Sequence, residues 1–333
     1  MQTSHNTRPA FTIIEILILI AIVALFIGVL FPALSGSRCG SGSMNAVTQA
    51  NLRSLTTGST NFAADHNDQI FALTSAIQAQ DILHKATGRS IELTQAHEPI
   101  LRLRYSHLVL MDYLTDRQPE PIAASPFDKN LINWQENPLA YLEENNTFPY
   151  AQGLPKTAGY DMDPTWTDQA ILQLWPFASS YQVVPHAWLD DIYPQYTPSP
   201  TSPHHMIQSD NTAPLRGRKL SQVKYPAQKI FIYEEFDYSS ERSPLYASDP
   251  NARINLAFFD GSVRQEKTSA ANSAFNKDNP TAVWQQPYIP LDTFPLPNGG
   301  LNDQTLLDLR FRFRWTKQGL QGIDYGPKGF GNP

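Results

Sequence analysis

The chain has 333 residues, a formal net charge of −6, and is 41% hydrophobic, 17% charged and 11% aromatic. This is a globular composition, not a disordered one. Its acidic balance excludes a general polyanion or nucleic-acid binder, and its single cysteine, Cys39, excludes an intrachain disulfide framework.

Residues 1–10 form a short leader in which Arg8 is the one Lys or Arg. From Phe11 an apolar run continues to Phe31 and Pro32, and Glu15 is its single ionisable residue. About 20 apolar residues at roughly 1.5 Å each are enough to cross a ~30 Å hydrocarbon core, so 11–34 reads as a transmembrane helix. An acid inside a bilayer costs a few kcal/mol and marks function by default. An ordinary signal anchor has no use for Glu15.

Ala10-Phe11-Thr12-Ile13-Ile14-Glu15, followed by this apolar helix, resembles the class III signal of type IV prepilins and type II secretion pseudopilins. The resemblance implies that a prepilin peptidase cuts between Ala10 and Phe11 and that Phe11 is then N-methylated. Ala10 stands where family members usually carry Gly. Pro32 falls where the family often carries a helix-bending Pro. The resemblance also implies a single pass in the inner (cytoplasmic) membrane, with the C-terminal domain extracytoplasmic. Arg8 agrees with the rule that positive charge stays inside. Cleavage creates an ammonium at Phe11, which can pair with Glu15 of a neighbouring subunit. An unpaired charge in a low-dielectric site is expensive, so such pairing selects one axial register. Polar pairs and close packing are what decide association between membrane helices.

Residues 35–43 hold three glycines and four serines and read as a joint after the anchor. Cys39 is preceded by Arg38, where a lipoprotein signal needs a small residue, so it reads as a juxtamembrane thiol without a role. Met44, Val47, Asn51, Leu55, Gly58 and Phe62 then recur at steps of three and four, the mark of one face of an amphipathic helix ending near Asp65 to Asp68. In pseudopilins the corresponding helix lies against an antiparallel sheet. The expected fold is therefore α+β: an N-terminal transmembrane helix leading, after the Gly/Ser break, into an amphipathic helix packed on an antiparallel sheet. The extracytoplasmic domain spans 44–333, with an insertion at about 70–215.

Several later segments resemble a prepilin-like group abundant in planctomycetes and related bacteria, which carries a C-terminal His-x9-Asp-Gly signature. Asn51 to Leu55 and Asn61 to Asp68 fit that group, as does Ser125-Pro126-Phe127-Asp128, with Ser in place of Cys. Ser180-Tyr181-Gln182-Val183 looks like its strand entry, and Tyr225 to Glu235 its Pro-led strand ending in Glu. Asn255 to Val263 looks like its Asn-x-x-Phe-x-Asp-Gly-His-Val stretch. Here Ser262 replaces the His, and Pro250 occupies the position ten before Asp260. Any role tied to those histidines does not carry over.

Within 70–118, Ala76–Ala86 and Ser106–Leu114 read as short helices. Residues 119–215 are Pro-rich and irregular, with Pro198 to Pro203 a loop. Lys229–Glu234 is a strand rich in β-branched and aromatic residues. Ile254–Phe259 and Ser262–Gln265 flank Asp260-Gly261, a strong hairpin signal that calls for a turn with positive φ at both positions. Leu309, Phe311, Phe313 and Trp315 alternate with Asp308, Arg310, Arg312 and Arg314, which predicts a strand with its arginines on a solvated face. The tail from Gly319 reads as irregular.

No catalytic constellation is legible. Neither a Gly-x-Ser-x-Gly elbow nor His-Glu-x-x-His nor a phosphate-binding loop occurs, and the only cysteine lies beside the membrane segment. His204-His205 in a Pro/Ser loop reads as an exposed pair, not a metal site. Asp65, Asn67 and Asp68 could offer oxygens to calcium, but helix termination accounts for them equally. The expected protein is a non-enzymatic structural subunit without cofactor or metal. Its partners are prepilin peptidase, pilin-like subunits and the inner membrane; nucleic acid is not among them. The alternative is a tethered module that binds an envelope polymer, its Trp134, Trp166, Trp175, Trp188 and Trp284 stacking on sugars.

Overall fold

The computed structural model describes residues 41–88, 98–115, 117–136, 138, 175–189, 217–238, 245–247, 249–272, 312–316 and 318–326. The chain divides into two units, Met1–Met44 and Asn45–Pro333. The leader, the apolar run 11–34 with Glu15 and Pro32, joint residues 35–40 and the His204-His205 pair lie outside the described residues.

The described part is α+β. Helices α1 (Ser41–Asp65), α2 (Ala76–Thr87), α3 (Glu98–Tyr105) and α4 (Lys129–Glu136) accompany strands β1 (Tyr181–Val183), β2 (Ile230–Glu234), β3 (Phe236–Asp237), β4 (Leu245–Tyr246), β5 (Arg253–Phe258) and β6 (Val263–Lys267). Four strands form an antiparallel sheet in the order β1-β2-β5-β6, and β3 pairs with β4. The strands read at Lys229–Glu234, Ile254–Phe259 and Ser262–Gln265 are β2, β5 and β6, each within a residue or two.

Helix α1 starts at Ser41, so the last three residues of the Gly/Ser stretch are helical. Leu52, Leu55, Phe62 and Ala63 are buried, and the first three pack with Val183, Phe231, Ile232 and Ala257. Leu55, Gly58 and Phe62 of the stripe read in the sequence are buried, and it departs at its N-terminal end. Val47 is 48% exposed, whereas Thr48 is fully buried. The helix seats Thr48 because a polar partner waits beneath it, a fact invisible to hydrophobic periodicity. A cap explains the start of α2, where the Ser75 hydroxyl accepts from the Gln78 N–H at 3.2 Å. The helix ends at Gly88, whose φ of +70° no side-chain-bearing residue adopts cheaply. The segment expected as a helix at Ser106–Leu114 is a 3₁₀ helix over Ser106–Tyr113.

The span 70–215 is not peripheral to the frame. It supplies β1, which pairs with β2, and buried Phe71, Leu73, Leu103, Val183 and Trp188. Trp188, 5% exposed, fills the core, which rules it out as a sugar platform.

Two further expectations give way. The β5–β6 turn closes through Gly261 N–H to Phe258 O (2.9 Å) and Phe258 N–H to Ser262 O (2.9 Å), and only Gly261 has positive φ, +83°. This is a three-residue connection with glycine in the left-handed position, one of the common hairpin solutions. Asp260 does not have positive φ, and its Oδ1 accepts from the Ser262 N–H (2.9 Å) and hydroxyl (2.6 Å). Gly261→Ala is expected to cost about 1–2 kcal/mol, the penalty for a Cβ in the left-handed region, measured as a lower urea midpoint. Its Cβ would meet no atom within 4 Å, so the cost is one of backbone conformation, not of clash.

The second concerns the expected strand at 309–315. Arg312–Trp315 is a 3₁₀ turn, Phe313 is fully buried, and Arg312 is 5% exposed. Arg312 donates to the carbonyls of Ala271 (2.7 Å) and Ser269 (3.3 Å). Its guanidinium satisfies loop carbonyls and does not lie on a solvated face. Residues 309–311 lie outside the described residues.

A buried ion pair ties residues 312–326 to β2. Lys229 Nζ lies 2.8 Å from Asp324 Oδ2, with side chains 0% and 1% exposed, and the Thr316 hydroxyl bonds to both. Asp324 Oδ2 also accepts the Ile230 N–H at 2.9 Å.

Candidate functional site

Of the cleavage, assembly, kink and turn residues singled out in the sequence, only Asp260 and Gly261 fall among those described, and they form the turn above. Ala10, Phe11, Glu15 and Pro32 do not. Asp65 accepts the Tyr113 hydroxyl at 2.9 Å, and Asp68 accepts the Ser221 N–H at 3.0 Å; the Ser221 side chain first, and then this N–H, hold the Asp68 carboxyl below its usual range. Both carboxylates therefore work as structural acceptors. Asn67 and Asp68 take positive φ where α1 ends. Among the described residues, no three His, Cys, Asp or Glu side chains are grouped to hold a metal ion.

A different site emerges where β1, β2 and β5 meet the first turns of α1. Strand β2 is an apolar run that ends in one acid, Glu234, and a second, Glu235, follows it directly. Glu234 and Glu235, neighbours in sequence, are 2% and 1% exposed, and side chains at successive strand positions point to opposite faces. Glu235 accepts from Arg104 Nη2 at 2.5 Å and from Gln182 Nε2 at 2.8 Å. Gln182 Oε1 in turn accepts the Tyr233 hydroxyl at 2.6 Å. Glu235 is thus a buried acid with a guanidinium partner.

Glu234 is bonded differently. Its Oε1 accepts the Ser125 hydroxyl at 2.7 Å, and its Oε2 accepts Asn255 Nδ2 at 2.7 Å. Both donors are neutral. Burial pushes its carboxyl up to about 7, against the lowering effect of those two donors; the nearby Asp237 charge raises it further. Asp128 completes the cluster. It accepts from the Ser180 hydroxyl (2.8 Å) and the Leu131 N–H (3.1 Å), and burial holds its carboxyl above the usual range. Ser180 Oγ accepts the Ser125 N–H at 3.0 Å, linking the two acids.

Helix α1 closes the cluster with amides and a hydroxyl. Asn255 Nδ2 donates to Asn45 Oδ1 (2.7 Å), and Gln49 Nε2 donates to Asn255 Oδ1 (3.3 Å). Thr48 and Ser125 hydroxyls lie 3.4 Å apart. Asn51 Nδ2 donates to Ala124 O (3.0 Å) and to the Tyr181 hydroxyl (3.3 Å).

Four segments that carried the resemblance to the planctomycete-type group therefore converge here, through Ser125 and Asp128, Ser180 and Gln182, Glu234 and Glu235, and Asn255. The sequence reading did not assemble them, and it missed Arg104, Asn45, Thr48 and Gln49. One signal was present: an acidic pair closing an otherwise apolar strand demands a buried partner.

The arrangement bears on chemistry. Ser125, Ser180 and Gln182 are fully buried and Asn255 is 1% exposed. The hydroxyls point at carboxylates, and no imidazole bonds to either serine. Such a network orders the backbone segments it joins. His107, also buried, is held neutral because burial pushes its imidazole down to about 4.

The chain matches no family model, no curated protein and no solved structure.

Proposed function

We propose that this chain is a prepilin-like structural subunit, inserted in the inner membrane, cut by a prepilin peptidase before Phe11, and assembled with similar subunits in a type II secretion-like pseudopilus or surface fibre. The observation that carries the reading is the Ala10-Phe11-Thr12-Ile13-Ile14-Glu15 signal on an apolar run with no other ionisable residue before Pro32. The α+β domain supports it, because an amphipathic helix packed on an antiparallel sheet is the arrangement the resemblance implies. The cluster around Glu234 supports it by tying that helix to the sheet through hydrogen bonds.

No helix among the described residues is long and apolar enough to cross a membrane. The span in this reading is residues 11–34, outside that set.

Mass spectrometry of the mature protein tests the reading directly. An N-terminal, methylated Phe11 is the expected result. An intact Met1, or a cut after Leu34, would reject it.

A further inference from the structure

Helix α1 docks on the sheet in two chemically distinct parts. From Leu52 onward it is held by buried apolar side chains, chiefly Leu52, Leu55 and Phe62. Before Leu52 its contacts are hydrogen bonds: Asn45 and Gln49 to Asn255, Thr48 to Ser125, and Asn51 to Ala124 O and Tyr181. Asn255 and Ser125 are also the two donors to Glu234. The polar part of the seam therefore hangs on one carboxyl group.

We propose that residues 45–51 of α1 form a proton-controlled latch, docked on the sheet while Glu234 is protonated and lifting when it ionises.

The groups facing Glu234 give the direction. Besides burial, Asp237 of β3 is the charge that pushes its carboxyl up, and Glu235, which follows β2, and Asp128, in the loop before α4, are the other acids of the cluster. Arg104 of α3 is committed to Glu235 at 2.5 Å. Asp237 accepts the Arg253 backbone N–H at 2.7 Å. Tyr181 of β1 and Tyr238 are neutral, both pushed upward by burial and by the Glu234 charge among others. Asn255 of β5 and the α1 residues Asn45, Thr48, Gln49 and Asn51 carry no charge. An ionised Glu234 thus has the Asp237 charge near it and neutral donors on both oxygens, and needs water. The apolar core cannot supply water without unfolding. The α1 seam can, because Asn45, Gln49 and Asn51 are already partly exposed.

The sign follows from linkage. Glu234 titrates higher in the docked state, near 7, than its ordinary value of 4.5. Its contribution to docking is complete below the ordinary value and is lost as pH rises through about 7. The inference stands whether or not the protein assembles into a fibre.

Amide hydrogen exchange on the full chain in detergent micelles, corrected for intrinsic rates between pH ~5.5 and ~8.5, tests it. Protection of residues 45–51 is expected to fall by up to about tenfold per pH unit between pH ~5.5 and about 7 and to level off above it, while that of 55–63 holds. Glu234→Gln should abolish the pH dependence, and Ser125→Ala, which removes a donor to the carboxylate, should move the midpoint to higher pH. Wild-type protection that is flat with pH, or that falls equally in both segments, would overturn the latch, as would a pH dependence surviving in Glu234→Gln.

Discussion

Asp324→Ala is expected to destabilise the folded domain by about 3–5 kcal/mol, the usual consequence of breaking a buried ion pair from one side. The Lys229 ammonium it faces is 0% exposed. With Asp324 gone, the Thr316 hydroxyl would face the ammonium as a neutral partner in place of a charged one. The substitution also removes the acceptor of the Ile230 N–H at the start of β2. The loss should therefore reach the central strand, and not only the loop that carries Asp324. Urea unfolding of the detergent-solubilised chain, followed by tryptophan fluorescence, reads it as a fall in midpoint at constant slope. Lys229→Met combined with Asp324→Leu should recover most of the loss, since well-packed apolar residues often replace a buried pair without cost. A single-variant loss under about 1 kcal/mol would show that Lys229 has no need of the carboxylate.

Glu15→Ala is expected to leave the protein inserted and cleaved but to cut its incorporation into assemblies at least tenfold. A carboxylate about 4 Å from a neighbour's Phe11 ammonium gains ~4 kcal/mol at an effective dielectric of 20. About 1.4 kcal/mol per subunit contact is enough for the tenfold effect. Membrane fractionation should find the variant in the same fraction as the wild type, with a mature N-terminus at Phe11. Cross-linking between subunits would report the defect. Normal cross-linking in Glu15→Ala would remove the charge pair from the account. It would leave the processing signal standing, so the two parts of the proposal fail separately.

Much of the architecture is legible in residue order. Ile230–Glu234 and Arg253–Phe258 are β-branched and aromatic runs, and Asp260-Gly261 marks where the second of them turns back. Recurrence at three and four locates α1, and a Ser cap and a Gly stop bound α2. These signals are local. They depend on backbone preference and on the spacing of apolar side chains, which neighbouring residues carry among themselves.

The contacts between distant segments were decided by tertiary structure. Periodicity put Val47 inward and could not see that Thr48 meets Ser125, 77 positions on. Alternation made Arg312 a solvated strand residue, yet it serves the carbonyls of Ser269 and Ala271. A strand as short as β1 exists because β2 offers it an edge. The Glu234 cluster draws on five separate stretches, with Ser125 and Glu234 109 positions apart. A buried polar group is tolerable only when its partner is in place, and that partner is set by the packing of the whole domain. Residue order alone thus determined the elements, the apolar run with its one acid, and the resemblance to a prepilin signal. Which acids are buried, and what neutralises each of them, was decided only by the fold.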